Sequence, residues 1–202
     1  MRDAISPMLE YYDRRAPEYD DWWDGTGLFA GRDRPGWHDE VADLIDALRR
    51  LPPARTLDVA CGTAYLGRHL PGVVTGLDAS PAMLAIARER MPGGDVVRGD
   101  ALDPPFPDGA FERVATGHFY GHLEEPDRVR FLARARRLAP ELLVIDSARH
   151  DDVPAQRMDA RVLRDGSRHE VFKRWFHPDE LAAELGGGAV LHAGRWFVAV
   201  LA

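Results

Sequence analysis

From Thr56 onward the chain alternates short, β-rich apolar runs with longer stretches of helical periodicity, and no other feature restricts the fold as much. A strand, a helix and a second strand running the same way make one crossover unit, and repeated units give a parallel sheet covered by helices on both faces. Residues 55–60, 73–77, 96–98, 111–116 and 142–146 read as strands, each short, apolar and bounded by Gly, Pro or Asp. Ser80 and Pro81 open one helix as N-cap and first helical residue, and a second is expected over 126–138, before Pro140. The tail breaks the rhythm. A charged strand over 167–176, a helix over 178–185, three glycines and the apolar run 190–201 predict an antiparallel pair at the end of the sheet. Before Thr56, the spacing of Val41, Leu44, Ile45 and Leu48 makes one apolar helix stripe that ends at Pro52-Pro53. Residues 1–53 are therefore expected to cap, or pack beside, the cleft of a core spanning 54–202, the whole forming one domain.

Length and charge narrow the function. The chain has 202 residues, 45% of them hydrophobic, which supports one sizeable core. Lys plus Arg number 26 against 33 Asp plus Glu, a formal charge of -7, the wrong sign for a protein whose affinity comes from neutralising phosphate backbones. Nucleic acid is not the expected partner. The run Arg128, Arg130, Arg134, Arg136 and Arg137 is read as the solvated face of a helix. A single cysteine, Cys61, rules out an internal disulfide and a multi-cysteine zinc site and suits a reducing compartment. With no apolar signal core or bilayer-length run, a cytoplasmic protein with no membrane partner is expected, as monomer or homodimer.

The chemistry concentrates at Thr56-Leu57-Asp58-Val59-Ala60-Cys61-Gly62-Thr63-Ala64-Tyr65-Leu66, where a strand leads to a helix through a tight turn of small residues. Small side chains let a ligand lie against the backbone, and the unpaired N–H groups of a helix start point at it. Asp78 ends the second strand 20 residues after Asp58, where a carboxylate can accept from ribose hydroxyls. Either aspartate alone would be an ordinary turn residue; their spacing favours a nucleotide site. The third strand leads into Gly99-Asp100-Ala101, so three successive strand ends carry acidic or small residues on the carboxyl edge where ligands of such sheets bind.

This pattern resembles the class I S-adenosylmethionine-dependent methyltransferases, in order as well as content and over nearly the whole chain. The resemblance implies an α/β, Rossmann-like, mostly parallel seven-stranded sheet with helices on both faces and an antiparallel C-terminal strand pair, with S-adenosylmethionine as cofactor, S-adenosylhomocysteine as product and no metal. It assigns the methionine part of the cofactor to Ala60, Gly62 and Thr63, the ribose to Asp78, and the adenine to Asp100 with Ala101. Asp58, Cys61, Ala79, Met83 and Gly117 complete the implied cofactor set. The segment from Tyr11 to Asp20 is similar to the N-terminal helix of small-molecule members, whose tyrosines lie over the cofactor, so Tyr11 and Tyr19 join that set. The family's turn usually has three glycines; here Ala60 and Ala64 stand in the outer positions, which puts cofactor affinity in question.

A nicotinamide enzyme is the nearest alternative, but Ala60-Cys61-Gly62-Thr63-Ala64 lacks the G-x-G-x-x-G glycines that bring a backbone against two phosphates. Asp103-Pro104-Pro105-Phe106 mimics the motif of base amino-methyltransferases, yet it precedes the fourth strand rather than following it and reads as a turn. After that strand come Gly117, His118, Phe119, Tyr120, Gly121 and His122, where the family's acceptor meets the sulfonium methyl. His118, Tyr120 and His122 are thus the candidate catalytic residues, with a histidine able to act as general base or simply to pack or cap. Residues 161–176 resemble the matching part of natural-product O-methyltransferases, including ones acting on phosphonates, and Arg168, Lys173 and Arg174 could pair with an anionic acceptor or merely face water. Trp22, Trp23, Trp37 and Phe29 would form an apolar lid for an aromatic acceptor, or pack as core. The expected activity is methyl transfer to a small molecule, on oxygen; a protein that keeps the fold and binds without turnover is the reading from another class.

Overall fold

The computed structural model describes residues 7–202. Its strands are β1 (Ala54–Val59), β2 (Gly72–Asp78), β3 (Val96–Arg98), β4 (Arg113–Gly117), β5 (Glu141–Ser147), β6 (Gln156–Val162), β7 (Arg168–Arg174), β8 (Ala189–Ala193) and β9 (Phe197–Leu201). Seven of them form one sheet in the order β3-β2-β1-β4-β5-β9-β8, while β6 and β7 pair with each other apart from it. Pairs β3–β2, β2–β1, β1–β4 and β4–β5 are parallel, and β5–β9 and β9–β8 are antiparallel. The chain leaves β1 toward β2 and β3, then returns to place β4 on the other side of β1. At that reversal the strand ends diverge and open a crevice.

The helices are α1 (Pro7–Arg15), α2 (Asp21–Asp24), α3 (Trp37–Arg49), α4 (Pro81–Arg90), α5 (Glu125–Leu138) and α6 (Pro178–Glu184). Strand side chains point alternately to opposite faces, and the sheet divides its apolar residues accordingly. Leu143 and Ile145 of β5 with Phe197 and Ala199 of β9 pack under Val41, Leu44 and Leu48 of α3. Their neighbours Leu142, Val144, Val198 and Val200 face Phe131 and Leu138 of α5 and Leu181 of α6. The stripe expected before Pro52 is thus a layer of the main core.

Two sequence expectations are corrected by the structure. The β1–β2 link holds no α-helix, only a 3-10 turn over Gly67–His69. Ala60, Gly62 and Ala64 all take left-handed backbone, φ 56°, 55° and 57°, which no helix accommodates, and the link then has to close on Pro71. The antiparallel pair also has a different origin. It comes from within the apolar run, folded back at Gly194–Trp196 into β8 and β9, whereas the charged stretch 167–176 supplies β7 of the separate hairpin. Its partner β6, exposed at alternate residues and rich in charge, carries too weak an apolar signal to be read as a strand.

Candidate active site

The turn after β1 is built by hydrogen bonds that its small residues permit. Cys61 N donates to Leu77 O at 3.0 Å and Ala64 N to Cys61 O at 2.8 Å. Gly62 N donates to Asp78 Oδ2 at 2.9 Å, and Ser80 N to Asp78 Oδ1 at 2.8 Å. Asp78 therefore ties the first turn to the start of α4, and each of its oxygens keeps a lone pair for a ligand. The expected N-cap is present: Ser80 Oγ accepts from Met83 N at 3.1 Å. Asp58 lies buried below this turn, close against Gly67, where any Cβ would collide with its carboxylate. Burial, reinforced by the charge of Asp78, pushes the Asp58 carboxyl up to about 7. Burial likewise raises Asp78, against the lowering by its backbone donors, and holds the Cys61 thiol protonated, so Cys61 is no nucleophile.

A narrow cleft opens here, lined by Tyr19, Asp58, Ala60, Cys61, Gly67 and Gly117 among others. Tyr19 roofs it: a Cβ placed on Gly62 would stand 3.7 Å from the Tyr19 ring. The roof is fastened by carboxylates the sequence reading passed over. Asp13 Oδ1 accepts from Ser80 Oγ at 2.6 Å and from Ala82 N at 3.2 Å. Asp20 accepts from Thr63 Oγ1 at 2.7 Å and pairs with Arg90, which in turn donates to Thr63 O. Nothing local marks these aspartates; a carboxylate every few residues along an N-terminal helix reads as solvated surface. Farther along the edge, Asp100 turns one oxygen to Leu102 N at 2.8 Å while its side of the loop stays exposed, with Ala101 half-buried beside it. Ala79 is exposed and Met83 fully buried. Tyr11, by contrast, lies away from the turn, packed on Leu163 and Val171. Tyr12 is the second tyrosine near the site, 6.5 Å ring to ring from Tyr19 and 6.4 Å from His122.

His118 follows β4 in left-handed backbone, φ 55°, a strained conformation for a side chain of this size. Its Nδ1 stands 3.4 Å from Ser147 Oγ and 3.8 Å from Asp146 Oδ1. Its Nε2 is buried with no protein partner among the described residues. Burial, deepened by the nearby Lys173 despite Asp146, lowers the imidazole to about 3, so it is neutral near pH 7. With the Nδ1 proton directed at Ser147 and Asp146, Nε2 offers a lone pair. Asp146 is fully buried, pairs with the buried Lys173 and accepts from Gly121 N and Ser147 N at 2.7 Å each. His122 binds Phe172 O through Nδ1 at 2.6 Å and is likewise held near 3, mainly by burial. It joins β7 to the main body, while Glu124 holds the N-cap position of α5 without a side-chain bond. Tyr120 is turned into the core, its hydroxyl on Glu184 at 2.7 Å, so the structure does not bring it to His118.

The other candidates are placed as follows. Arg174 pairs with Glu184 at 2.7 Å, and Arg168 is exposed. Trp22, Trp23 and Trp37 stack with Phe197 and His118 as a packed wall, whereas Phe29 lies near the surface beneath Arg32. Of the α5 arginines, Arg130, Arg136 and Arg137 are exposed and Arg128 and Arg134 half-buried; Arg128, Arg134 and Arg136 also donate to carbonyls of Leu123, Pro104, Phe106 and Leu185, stitching loops to the helix. Among them is the loop of Asp103–Phe106, which precedes β4 as the sequence order required. Among the described residues no helix is long and apolar enough to cross a membrane, and no group of three or more His, Cys, Asp or Glu could hold a metal ion.

A small-residue turn after β1, an acid ending β2 and a sheet order that reverses at β1 define a Rossmann-like nucleoside-binding α/β protein. Residues 56–141 match the family model described as a methyltransferase domain. The chain is 34% identical over 137 residues to a demethylmenaquinone methyltransferase of Thermotoga maritima, covering 64% of this chain and 56% of that protein. It is 41% identical over 105 residues to a dTDP-3-amino-3,6-dideoxy-alpha-D-glucopyranose N,N-dimethyltransferase of Streptomyces fradiae, covering 50% of this chain and 38% of the relative. The chain thus spans about half the length, or less, of these curated relatives. Among solved structures, the DhpI-SAM-HEP complex superposes with a TM-score of 0.77 at 24% identity, covering 100% of this chain and 99% of that one. The DhpI-SAH complex gives 0.72 at 26% identity, covering 98% and 95%. Residues 56–141 are thus similar to a methyltransferase domain, and the fold around them is the Rossmann-like fold of solved methyltransferases.

Proposed function

We propose that the protein transfers a methyl group from S-adenosylmethionine to an oxygen of a small-molecule acceptor. The observation that carries the cofactor half is the pairing of Asp78 with the left-handed turn at Gly62, within the segment that matches the methyltransferase domain. The site fits that cofactor by its donors and acceptors. The carboxylates of Asp58 and Asp78 suit an ammonium group and ribose hydroxyls, and Asp100 and Ala101 suit an adenine edge. Bound there, the cofactor supplies an electrophilic methyl on a positively charged sulfur.

The chain's own residues position and enclose. Tyr19 and the carboxylate latches of Asp13 and Asp20 exclude water over the turn, and orientation of this kind supplies roughly 7–11 kcal/mol of a displacement barrier. Neutral His118 presents Nε2 as an acceptor for a hydroxyl proton and so orients the attacking oxygen. With its basicity so depressed, it is a poor sink for a proton, so it orients the acceptor hydroxyl rather than removing its proton. The DhpI complexes, named for SAM and SAH, support the cofactor, whereas the sugar relative is named for transfer to nitrogen.

Calorimetric titration with S-adenosylmethionine, S-adenosylhomocysteine and NAD tests the cofactor. Both adenosyl ligands are expected to bind and NAD not to, and Asp78→Ala is expected to weaken binding by roughly 10- to 100-fold, the loss of one or two hydrogen bonds to a charged group. Absence of adenosyl binding by the wild-type chain refutes the reading. Ala60 and Ala64, each in backbone that favours glycine, keep a second reading in play, binding without turnover, which methyl release with any acceptor would eliminate.

A further inference from the structure

Among the described residues the two sheets end in the strands β3, β8, β6 and β7. β3 has only three residues, β8 carries a register shift between Val190 and His192, and β7 is fastened to the main body where His122 Nδ1 binds Phe172 O at 2.6 Å. Each is thereby spoiled for pairing with a further strand. β6 is not: its seven residues run in unbroken register with β7, and no described strand lies on its far side. The hydrogen bonds of the hairpin fix which groups face that open edge. Trp175 N donates to Ala155 O at 2.9 Å at one end, and Leu163 N to Ser167 O at 3.1 Å at the other. Bonded and non-bonded pairs alternate along an antiparallel ladder. The odd-numbered residues of β6 therefore spend their N–H and C=O groups on β7, while Met158, Ala160 and Val162 turn theirs outward. The same three side chains share the outer face of the hairpin, where Met158 is 55% and Val162 48% exposed. Asp159 and Arg161 are half-buried on the opposite face.

We propose that this edge pairs with the same edge of a second copy, antiparallel about a two-fold axis at Ala160, so that two hairpins make one four-stranded sheet. The strand is complementary to itself in that register. Met158 lies opposite Val162 of the second copy and Ala160 opposite Ala160, so the exposed apolar side chains cover one another. On the other face Asp159 lies opposite Arg161 of the second copy, and the two-fold axis repeats each pair. The outward N–H and C=O groups of Met158, Ala160 and Val162 meet as bonded pairs. Neighbouring registers fail. A pairing centred on Asp159 sets two carboxylates face to face and needs backbone groups already bonded to β7. One centred on Met158 leaves Val162 opposite Pro154, which has no N–H to give, and one centred on Val162 runs past the end of the strand. The alternating charges of β6 repel a misaligned neighbour and so select this partner. The association also steadies the hairpin that holds Lys173 on Asp146 and Phe172 on His122.

The test is analytical ultracentrifugation of the full chain over about a hundredfold range of concentration, up to about 0.1 mM. A reversible monomer–dimer equilibrium is expected. Ala160 is exposed in the single chain, so Ala160→Lys leaves the fold alone but sets two ammonium groups face to face at the axis. It is expected to weaken the dimer by about tenfold or more. Ala160→Pro removes only an outward N–H and is expected to act in the same direction, so the test survives if one variant folds poorly. Oxidation reads the register. Ala160→Cys is expected to form a disulfide across the axis, whereas Met158→Cys, whose two copies lie about 14 Å apart along the paired strands, is not. A chain that stays monomeric overturns the proposal and leaves the edge to a strand of another protein. A dimer that neither Ala160→Lys nor Ala160→Pro weakens, that Ala160→Cys fails to cross-link or that Met158→Cys does cross-link overturns it as well, because the contact then lies on another surface or in another register.

Discussion

Asp58 carries a pH dependence that can be measured without any ligand. Its carboxyl titrates at about 7 in the fold and near 3.9 in an unfolded chain. Between those values the unfolded state has released its proton while the folded state keeps it. The stabilisation is therefore full below about pH 4 and is lost as pH rises through 7, in total on the order of 4 kcal/mol. His118 acts in the opposite sense: lowered to about 3 in the fold, it costs stability as pH falls below about 6.5. Comparing Asp58→Asn with the wild type in denaturant unfolding isolates the first effect, because both chains share the histidines. The variant is expected to gain on the wild type steadily from pH 5 to 7.5; parallel curves would show that the carboxyl titrates normally. At this scale the sequence was readable where chemistry is local. The Asp58–Asp78 spacing, Gly62 and the Ser80 cap are all set by neighbours in the chain. Arg15, Asp13 and Asp20 could not be singled out, because their partners Ser80 and Thr63, and the tyrosines around Arg15, meet them only through tertiary packing.

The elements on either side of the site are held by carboxylates that accept several backbone donors at once. Glu40 on α3 accepts from Trp196 N and Phe197 N at 2.8 Å each and from Arg195 N at 3.0 Å, fixing the turn between β8 and β9. Removing it leaves three N–H groups at a tight turn to find water. Glu40→Ala is expected to destabilise the protein by about 2–3 kcal/mol, read as a lower unfolding midpoint, and to loosen the aromatic wall of the site, because Phe197 at the end of this turn packs on Trp23 and His118. The β6–β7 hairpin depends similarly on contacts outside itself, since an isolated two-stranded hairpin is marginal in water. His122 binds Phe172 O, Lys173 binds Asp146, and Glu18 receives Arg164 N. These contacts explain why a charged, weakly patterned segment is nevertheless a strand. They also place Lys173, one of the three anion partners expected from the sequence, on Asp146 beside His118, whereas Arg168 is exposed and Arg174 pairs with Glu184.

For the whole molecule, the cap from α1 to α2 closes on the cofactor turn through side chains alone, so ligand binding and cap closure are linked. At 100 times its dissociation constant, S-adenosylhomocysteine contributes about 2.7 kcal/mol, and for a chain of this size the unfolding temperature is expected to rise by roughly 5–10 °C. Cleavage within 7–36 by a protease should slow in parallel; an unfolding shift without protection of this segment would mean that the cap does not take part. The sequence by itself determined the parallel sheet, its first five strands, the helices at Ser80 and after Glu124, and the turn with its two acids. Each of these follows from residue periodicity, capping or spacing within a short stretch of chain. Only the tertiary structure decided that β9 inserts beside β5, that β6 and β7 stand apart, that Tyr120 faces the core while Tyr12 lies beside Tyr19 and His122, and that Lys173 stands on Asp146. Those outcomes depend on contacts between residues up to 150 positions apart, and the charge and burial of a group are fixed only once its distant neighbours are in place.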